Sequence, residues 1–203
     1  MRIEISILFS VFATFSFAQR WEVKDHPNNR KKAIVVDSVT ISDFVYTEVS
    51  ELSENKAYVS QGELYAYIDA AGIELTPYVF AEANNFSNGF SIVADSFSKS
   101  ILNEKMQFVV PFEFQEVRLP EHGLIVVQSS SGTWGVYDTK GVLKLPRVYD
   151  LPPNILNLET IIVCKNGLYG VVNDCNESRY NCRYQYIDPN GLGYQSGRYL
   201  RLF

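Results

Sequence analysis

Apolar residues in this chain come in short, strand-length blocks, and no stretch shows the three-and-four spacing of an amphipathic helix. Valines at 59, 93, 127 and 163 each mark an apolar strand, and Ile161-Ile162-Val163-Cys164 is the densest of them. Each block is followed by a turn, a second strand, another turn and a short strand that reaches a proline or an aromatic residue. The expected fold is all-β: four antiparallel hairpin or three-strand repeats of roughly 35 residues, with irregular capping strands at both ends.

Several columns keep one register. An acidic or amide residue ahead of a tight turn recurs at Asp69, Asn103, Asp138 and Asn173. Pro77, Pro111 and Pro146 follow in the first three copies, and Tyr46, Phe80, Phe114 and Tyr149 form an aromatic column. Asp69-Ala70-Ala71-Gly72 and Asp138-Thr139-Lys140-Gly141 place a side-chain acceptor first and a glycine fourth, the chemistry of a type I turn closing a hairpin. Asn176 and Met106 stand at that fourth position in the other two copies. Asparagine tolerates the left-handed backbone that glycine supplies; methionine does not, so the second copy is expected to use another turn type. The proline is expected to end the third strand. Ala66, Ser100, Gly135 and Gly170 form a uniformly small column that lets a neighbouring segment approach, and Tyr65, Lys99, Trp134 and Tyr169 stand beside it on the other face.

Gly132-Thr133-Trp134-Gly135-Val136-Tyr137-Asp138, followed by Gly141 and Pro146, resembles the WG-repeat family of bacterial proteins. Leu168 to Asn173 and Leu64 to Asp69 are near matches, and the second copy, Ser98 to Asn103, keeps only the phase. The resemblance covers about Tyr46 to Tyr186, in units of about 46–79, 80–113, 114–148 and 149–186. It implies an all-β array used in the cell envelope or in interactions, and it brings no common catalytic residue.

Outside the repeats, residues 1–18 read as a secretory signal peptide: an apolar run from Ile5 to Phe17, then Ser16-Phe17-Ala18 before Gln19. Glu4 departs from the usual basic start, and an uncleaved anchor is the alternative. The run is too short to cross a bilayer as a helix, and no later segment is suited to do so. The expected location is therefore outside the cytoplasm, periplasmic or secreted. Residues 19–32 form a polar lead with a small basic cluster at Arg30-Lys31-Lys32, 33–45 read as N-terminal capping strands, and 187–203 as a closing hairpin. Net charge of −5 argues against nucleic acid and anionic lipid as partners. Cysteines fall at 164, 175 and 182. Cys175 and Cys182 flank the loop from Asn176 to Asn181 and are a candidate disulfide, while Cys164 reads as a buried thiol.

Catalytic and metal-binding signatures are missing from the text of the chain. His26 and His122 have no ligand spacing, and there is no Cys-x-x-Cys pair, nucleophile elbow or dinucleotide loop. No cofactor or metal is expected. Two sets of residues are candidates for a binding surface. Glu48, Glu82 and Glu116 recur as a carboxylate ladder, with Leu151 in the fourth slot, and Tyr65, Trp134 and Tyr169 are able to present flat faces to a sugar or peptide. Each set also has a structural reading, as a solvated strand face or as core packing. The leading expectation is a non-catalytic scaffold that binds a protein or glycan of the cell envelope. The alternatives are an envelope-polymer hydrolase using Glu82 or Glu116 as acid and base, and a purely structural spacer.

Overall fold

The structure, a computed structural model, describes residues 20–203; the signal-peptide expectation lies outside that range. Among the described residues the regular structure is entirely β. A first antiparallel sheet holds β1 (Trp21–Asp25), β2 (Lys32–Val36) and β3 (Val39–Thr40). Unit one follows as β4 (Glu48–Val49), β5 (Lys56–Gln61) and β6 (Leu64–Asp69), and unit two as β7 (Glu82–Ala83), β8 (Phe90–Ala94) and β9 (Lys99–Asn103). Unit three has four strands, β10 (Phe114–Val117), β11 (Leu124–Ser129), β12 (Trp134–Asp138) and β13 (Leu143–Tyr149). Unit four repeats that plan with β14 (Asn154–Asn157), β15 (Thr160–Lys165), β16 (Leu168–Val172) and β17 (Ser178–Tyr184). A C-terminal sheet of β18 (Tyr186–Ile187), β19 (Leu192–Gln195) and β20 (Arg198–Arg201) completes the array.

The link between units is a strand that leaves one sheet and enters the next. Phe114 pairs with Lys99 in unit two and, as the first residue of β10, with Ser129 in unit three. The whole aromatic column behaves the same way on its upstream side: Tyr46 bridges Lys32, Phe80 bridges Tyr65, Tyr149 pairs with Trp134, and Tyr184 pairs with Tyr169. Both terminal sheets keep the period. Lys32 takes the Tyr65 position in the first sheet, and Tyr186 stands 35 residues after Leu151 in the carboxylate column.

The Phe114–Lys99 pair joins units two and three into one seven-stranded sheet, β13-β12-β11-β10-β9-β8-β7, and the core is divided into layers between successive units. Ile34, Tyr46, Val59 and Ile68 fill the first layer, and Tyr67, Phe80, Phe86 and Leu102 the second. Ile101, Phe114, Ile125 and Tyr137 form the third; Val126, Trp134, Leu145 and Ile161 the fourth; Ile162, Val171, Tyr184 and Ile187 the fifth. This arrangement explains the continuous apolar runs. A central strand covered on both faces needs no polar phase, and all of Thr160 to Cys164 is buried. Each fully buried large side chain contributes on the order of 2 kcal/mol.

The turn after the third strand has one geometry throughout. Oδ1 of Asp69, Asn103, Asp138 or Asn173 accepts the N–H groups two and four residues on, and the backbone carbonyl accepts the third. Met106 does not change the turn type. It adopts φ +60 where Gly72 and Gly141 lie at +81, because the Asn103 side chain closes the same hydrogen bonds around it. Nor does Pro146 end its strand: β13 runs on to Tyr149 through a bulge, which tolerates a residue lacking N–H.

Candidate functional site

The strand register gathers the expected binding residues into rows. Glu48, Ser60, Tyr65 and Phe80 lie side by side across unit one, and Glu82, Ala94, Lys99 and Phe114 across unit two. Glu116, Gln128, Trp134 and Tyr149 make the row of unit three. Each row ends on an aromatic residue, Phe80, Phe114 or Tyr149, that packs in the layer between its unit and the next, so carboxylates of one column alternate with residues of the other along the array.

Contacts within these rows are specific. Tyr65 Oη donates to Glu48 Oε2 at 2.7 Å, and Tyr58 Oη approaches the other carboxylate oxygen at 3.5 Å. The hydrogen bond to Glu48, then burial and the Glu48 and Glu82 carboxylates, push the Tyr65 hydroxyl up to about 12. Lys99 Nζ reaches forward to Glu116 Oε1 at 3.0 Å. Glu82, exposed, shares a groove of about 220 Å³ with Asp95, Lys99 and Gln115. The carboxylates therefore do not form an uninterrupted ladder: Tyr65 and Lys99 stand between them.

Trp134 differs from its column mates. It is only 9 % exposed, packs with Tyr149 and Ile155 in the layer between units three and four, and carries the Arg118 guanidinium 5.3 Å from its ring centre. Tyr169 is half-buried and meets Tyr186 edge-on, with ring centres 6.0 Å apart.

That Tyr169–Tyr186 contact belongs to a groove of about 310 Å³ between unit four and the C-terminal sheet, lined by Leu151, Pro152, Cys164, Tyr169, Tyr186 and Pro189. It is the counterpart of the charged groove after unit two. Two periods along, Leu151 replaces Glu82, Tyr169 replaces Lys99 and Tyr186 replaces Glu116. Sequence reading found Leu151 in the carboxylate slot but not Tyr186. Extending the column by one more 35-residue step finds it.

The candidate disulfide is not formed. Cys175 lies exposed in the turn beyond β16, its sulfur 3.6 Å from Asp174 Oδ1. Cys182 lies down β17, where its sulfur packs over Gly170. Cys164 is buried, and burial first, then the Asp150 carboxylate, pushes its thiol up. Among the described residues no cluster of histidine, cysteine and carboxylate side chains is arranged to hold a metal ion.

Residues 101–130 match the model of the WG containing repeat. The chain carries a WG repeat. The matched segment runs from the third strand of unit two, through the Asn103 turn, Pro111 and Phe114, into the second strand of unit three. It thus falls on the unit that lacks the aromatic-glycine pair and stops short of Trp134-Gly135. Comparison with curated proteins gives no match. Similar solved structures include Hsv2 of Kluyveromyces lactis with loop 6CD replaced by a Gly-Ser linker, at 17 % identity and TM-score 0.40, covering 78 % of this chain and 62 % of that one. The computationally designed Ika8 protein gives 11 %, TM-score 0.38, and 91 % and 71 % coverage. BamB from Moraxella catarrhalis gives 10 %, TM-score 0.35, and 74 % and 57 %. The chain spans less than two thirds of the length of the first of these.

Proposed function

We propose that this WG-repeat chain is an exported, non-catalytic scaffold that binds a protein or glycan of the cell envelope across several units. The observation that carries the reading is the repeated row of side chains across each unit, where Glu48, Tyr65, Glu82, Lys99 and Glu116 follow one another along successive units. Such a row offers donors, acceptors and an aromatic face at a fixed spacing, which suits an extended partner better than a small substrate. The hydrolase alternative loses ground because one of its two carboxylates, Glu116, is already engaged with Lys99. The apolar run ahead of Gln19 supports export, and the acidic net charge disfavours nucleic acid.

A photo-crosslinking residue at Gln115, exposed beside Glu116, tests the reading in cells. The expected result is a discrete crosslinked species outside the cytoplasm, identified by mass spectrometry and lost in a Glu82→Ala/Lys99→Ala double variant. Cytoplasmic retention, or hydrolysis of an envelope polymer by the purified protein, overturns it.

A further inference from the structure

We propose that Asn88 and Asn166 are latent deamidation sites, each restrained by a carboxylate from another turn of the array, Glu54 for the first and Asp150 for the second. Both asparagines stand in two-residue hairpin loops and are followed by glycine: Asn88-Gly89 between Ser87 and Phe90, and Asn166-Gly167 between Lys165 and Leu168. Such a loop needs positive φ at both residues, and the values are 52 and 81 in the first and 53 and 73 in the second. The backbone that the hairpin demands therefore installs the dipeptide in which main-chain attack on the side-chain amide is least hindered, because glycine adds no side chain beside the attacking nitrogen.

The chemistry needs only the chain and water. The glycine nitrogen, once it has lost its proton, attacks Cγ of the asparagine side chain. A C–N bond closes a five-membered succinimide, the bond from Cγ to the side-chain nitrogen breaks, and that nitrogen leaves as ammonia with the proton. Water then opens the ring at either carbonyl, giving aspartate or isoaspartate. Both asparagines are exposed, and a Cβ on Gly89 or Gly167 would meet nothing within 4 Å, so neither loop is shielded by packing.

What holds each nitrogen is a hydrogen bond from outside the loop. Gly89 N–H donates to Glu54 Oε2 at 2.8 Å, and Gly167 N–H donates to Asp150 Oδ2 at 2.7 Å. Removal of that proton starts the reaction, and a carboxylate at this distance opposes it twice: it accepts from the N–H, and its charge repels the amide anion. The third Asn-Gly pair provides a comparison. Gly191 is buried, its N–H donates to the Asp188 main-chain carbonyl at 3.0 Å, and a Cβ there would stand 2.7 Å from the Phe203 carbonyl oxygen. Asn190 is thus guarded by its own turn and by packing. At Asn88 the product matters for the array, because the Glu54 bond ties unit one to unit two beside the bond from Ser53 Oγ to the Phe86 carbonyl. Deamidation sets a second carboxylate next to Glu54, and isoaspartate adds a main-chain carbon to a two-residue loop. No binding partner takes part, so the outcome is independent of the partner reading above.

Incubation of the full chain at mildly alkaline pH, followed by peptide mapping that separates asparagine, aspartate and isoaspartate, tests the proposal. The variants are Glu54→Ala, Glu54→Gln and Asp150→Ala; both carboxylates are exposed, and circular dichroism checks that each variant folds. In the folded wild type, Asn88 and Asn166 are expected to react about tenfold more slowly than in the urea-unfolded chain. Glu54→Ala speeds Asn88 by about fivefold and leaves Asn166 and Asn190 unchanged, and Asp150→Ala speeds Asn166 alone. Glu54→Gln falls between wild type and Glu54→Ala, since it keeps an acceptor and loses the charge. Equal rates in the folded and unfolded wild type, an alanine variant that leaves its own asparagine unchanged, or an acceleration shared by all three asparagines overturns the proposal.

Discussion

Gly170 on β16 faces the Tyr180 carbonyl on β17 so closely that a Cβ on it would stand 2.6 Å from the oxygen. Gly135 is placed alike against β13, 3.0 Å from the Leu145 carbonyl and 3.1 Å from the Arg147 Cα on the same count. In both units the fourth strand pairs with the third through a bulge. In units one and two the corresponding segment touches the third strand only at isolated bridges, or at the single Phe114–Lys99 pair, and there the column holds Ala66 and Ser100. The glycine of the Trp-Gly pair is thus required by the fourth strand, not by the tryptophan. Gly170→Ala is expected to cost about 3 kcal/mol in urea unfolding, while Ala66→Gly costs about 1 kcal/mol or less. Equal effects at the two positions would contradict this account.

Met106 holds a left-handed conformation that methionine disfavours, while its side chain packs against the layer of Tyr67 and Phe80. Substitution separates the two effects. Met106→Ile keeps apolar bulk but adds a β branch at positive φ, and is expected to destabilise by about 1–2 kcal/mol. Met106→Gly relieves the backbone and loses the packing, so its net change stays within about 1 kcal/mol. Thermal unfolding of the two variants gives the comparison.

These positions show which features of the fold were legible in sequence. The period, the turn acceptors at Asp69 to Asn173 and the all-β class follow from residues that must be chemically alike in every copy. The short first strands, such as Glu48–Val49 and Glu82–Ala83, were not legible, because two paired residues leave no alternation to detect. The sheet-to-sheet role of Tyr46, Phe80, Phe114, Tyr149 and Tyr184 was hidden for a related reason: a column reports recurrence, not which neighbour it touches. At the candidate site, Glu48 and Tyr65 read in sequence as members of two separate sets, because the hydrogen bond that joins them depends on cross-strand register. Trp134 was indistinguishable from Tyr65 and Tyr169 in the text, since its burial depends on β13 and unit four.

The cysteines give a chemical readout of the β17 placement. Under native conditions a disulfide-exchange reagent is expected to label Cys175 alone, and Cys164 and Cys182 only after unfolding. The Asp174 carboxylate raises the Cys175 thiol, first through its charge and then by hydrogen bonding. Asp174→Asn is therefore expected to speed labelling of Cys175 near pH 8, because a larger fraction is thiolate. Purified protein with only one titratable thiol after unfolding would instead mean that a disulfide had formed.

Tyr67 offers the sharpest test of the inter-sheet layers. Its ring is fully buried between units one and two, and its hydroxyl donates to the Asn84 carbonyl at 2.8 Å and lies 2.7 Å from Ser91 Oγ. Burial pushes the hydroxyl up to about 12, from 10.0. The neutral form is the one the fold favours, so this contribution is complete below pH 10 and is lost as pH rises from 10 to 12, where the unfolded chain ionises first. The loss amounts to roughly 3 kcal/mol. Tyr67→Phe removes both the hydrogen bond and the ionisation. At pH 7 the variant is expected to be less stable than wild type by about 1 kcal/mol, with Ser91 still donating to the Asn84 carbonyl. Above pH 10 the wild type alone keeps losing this term, so the two stabilities cross near pH 11 and the phenylalanine variant becomes the more stable. Denaturant titrations at pH 7, 10 and 11.5 measure the crossing, and a constant gap across that range would mean that Tyr67 ionises equally well in the folded and unfolded chain.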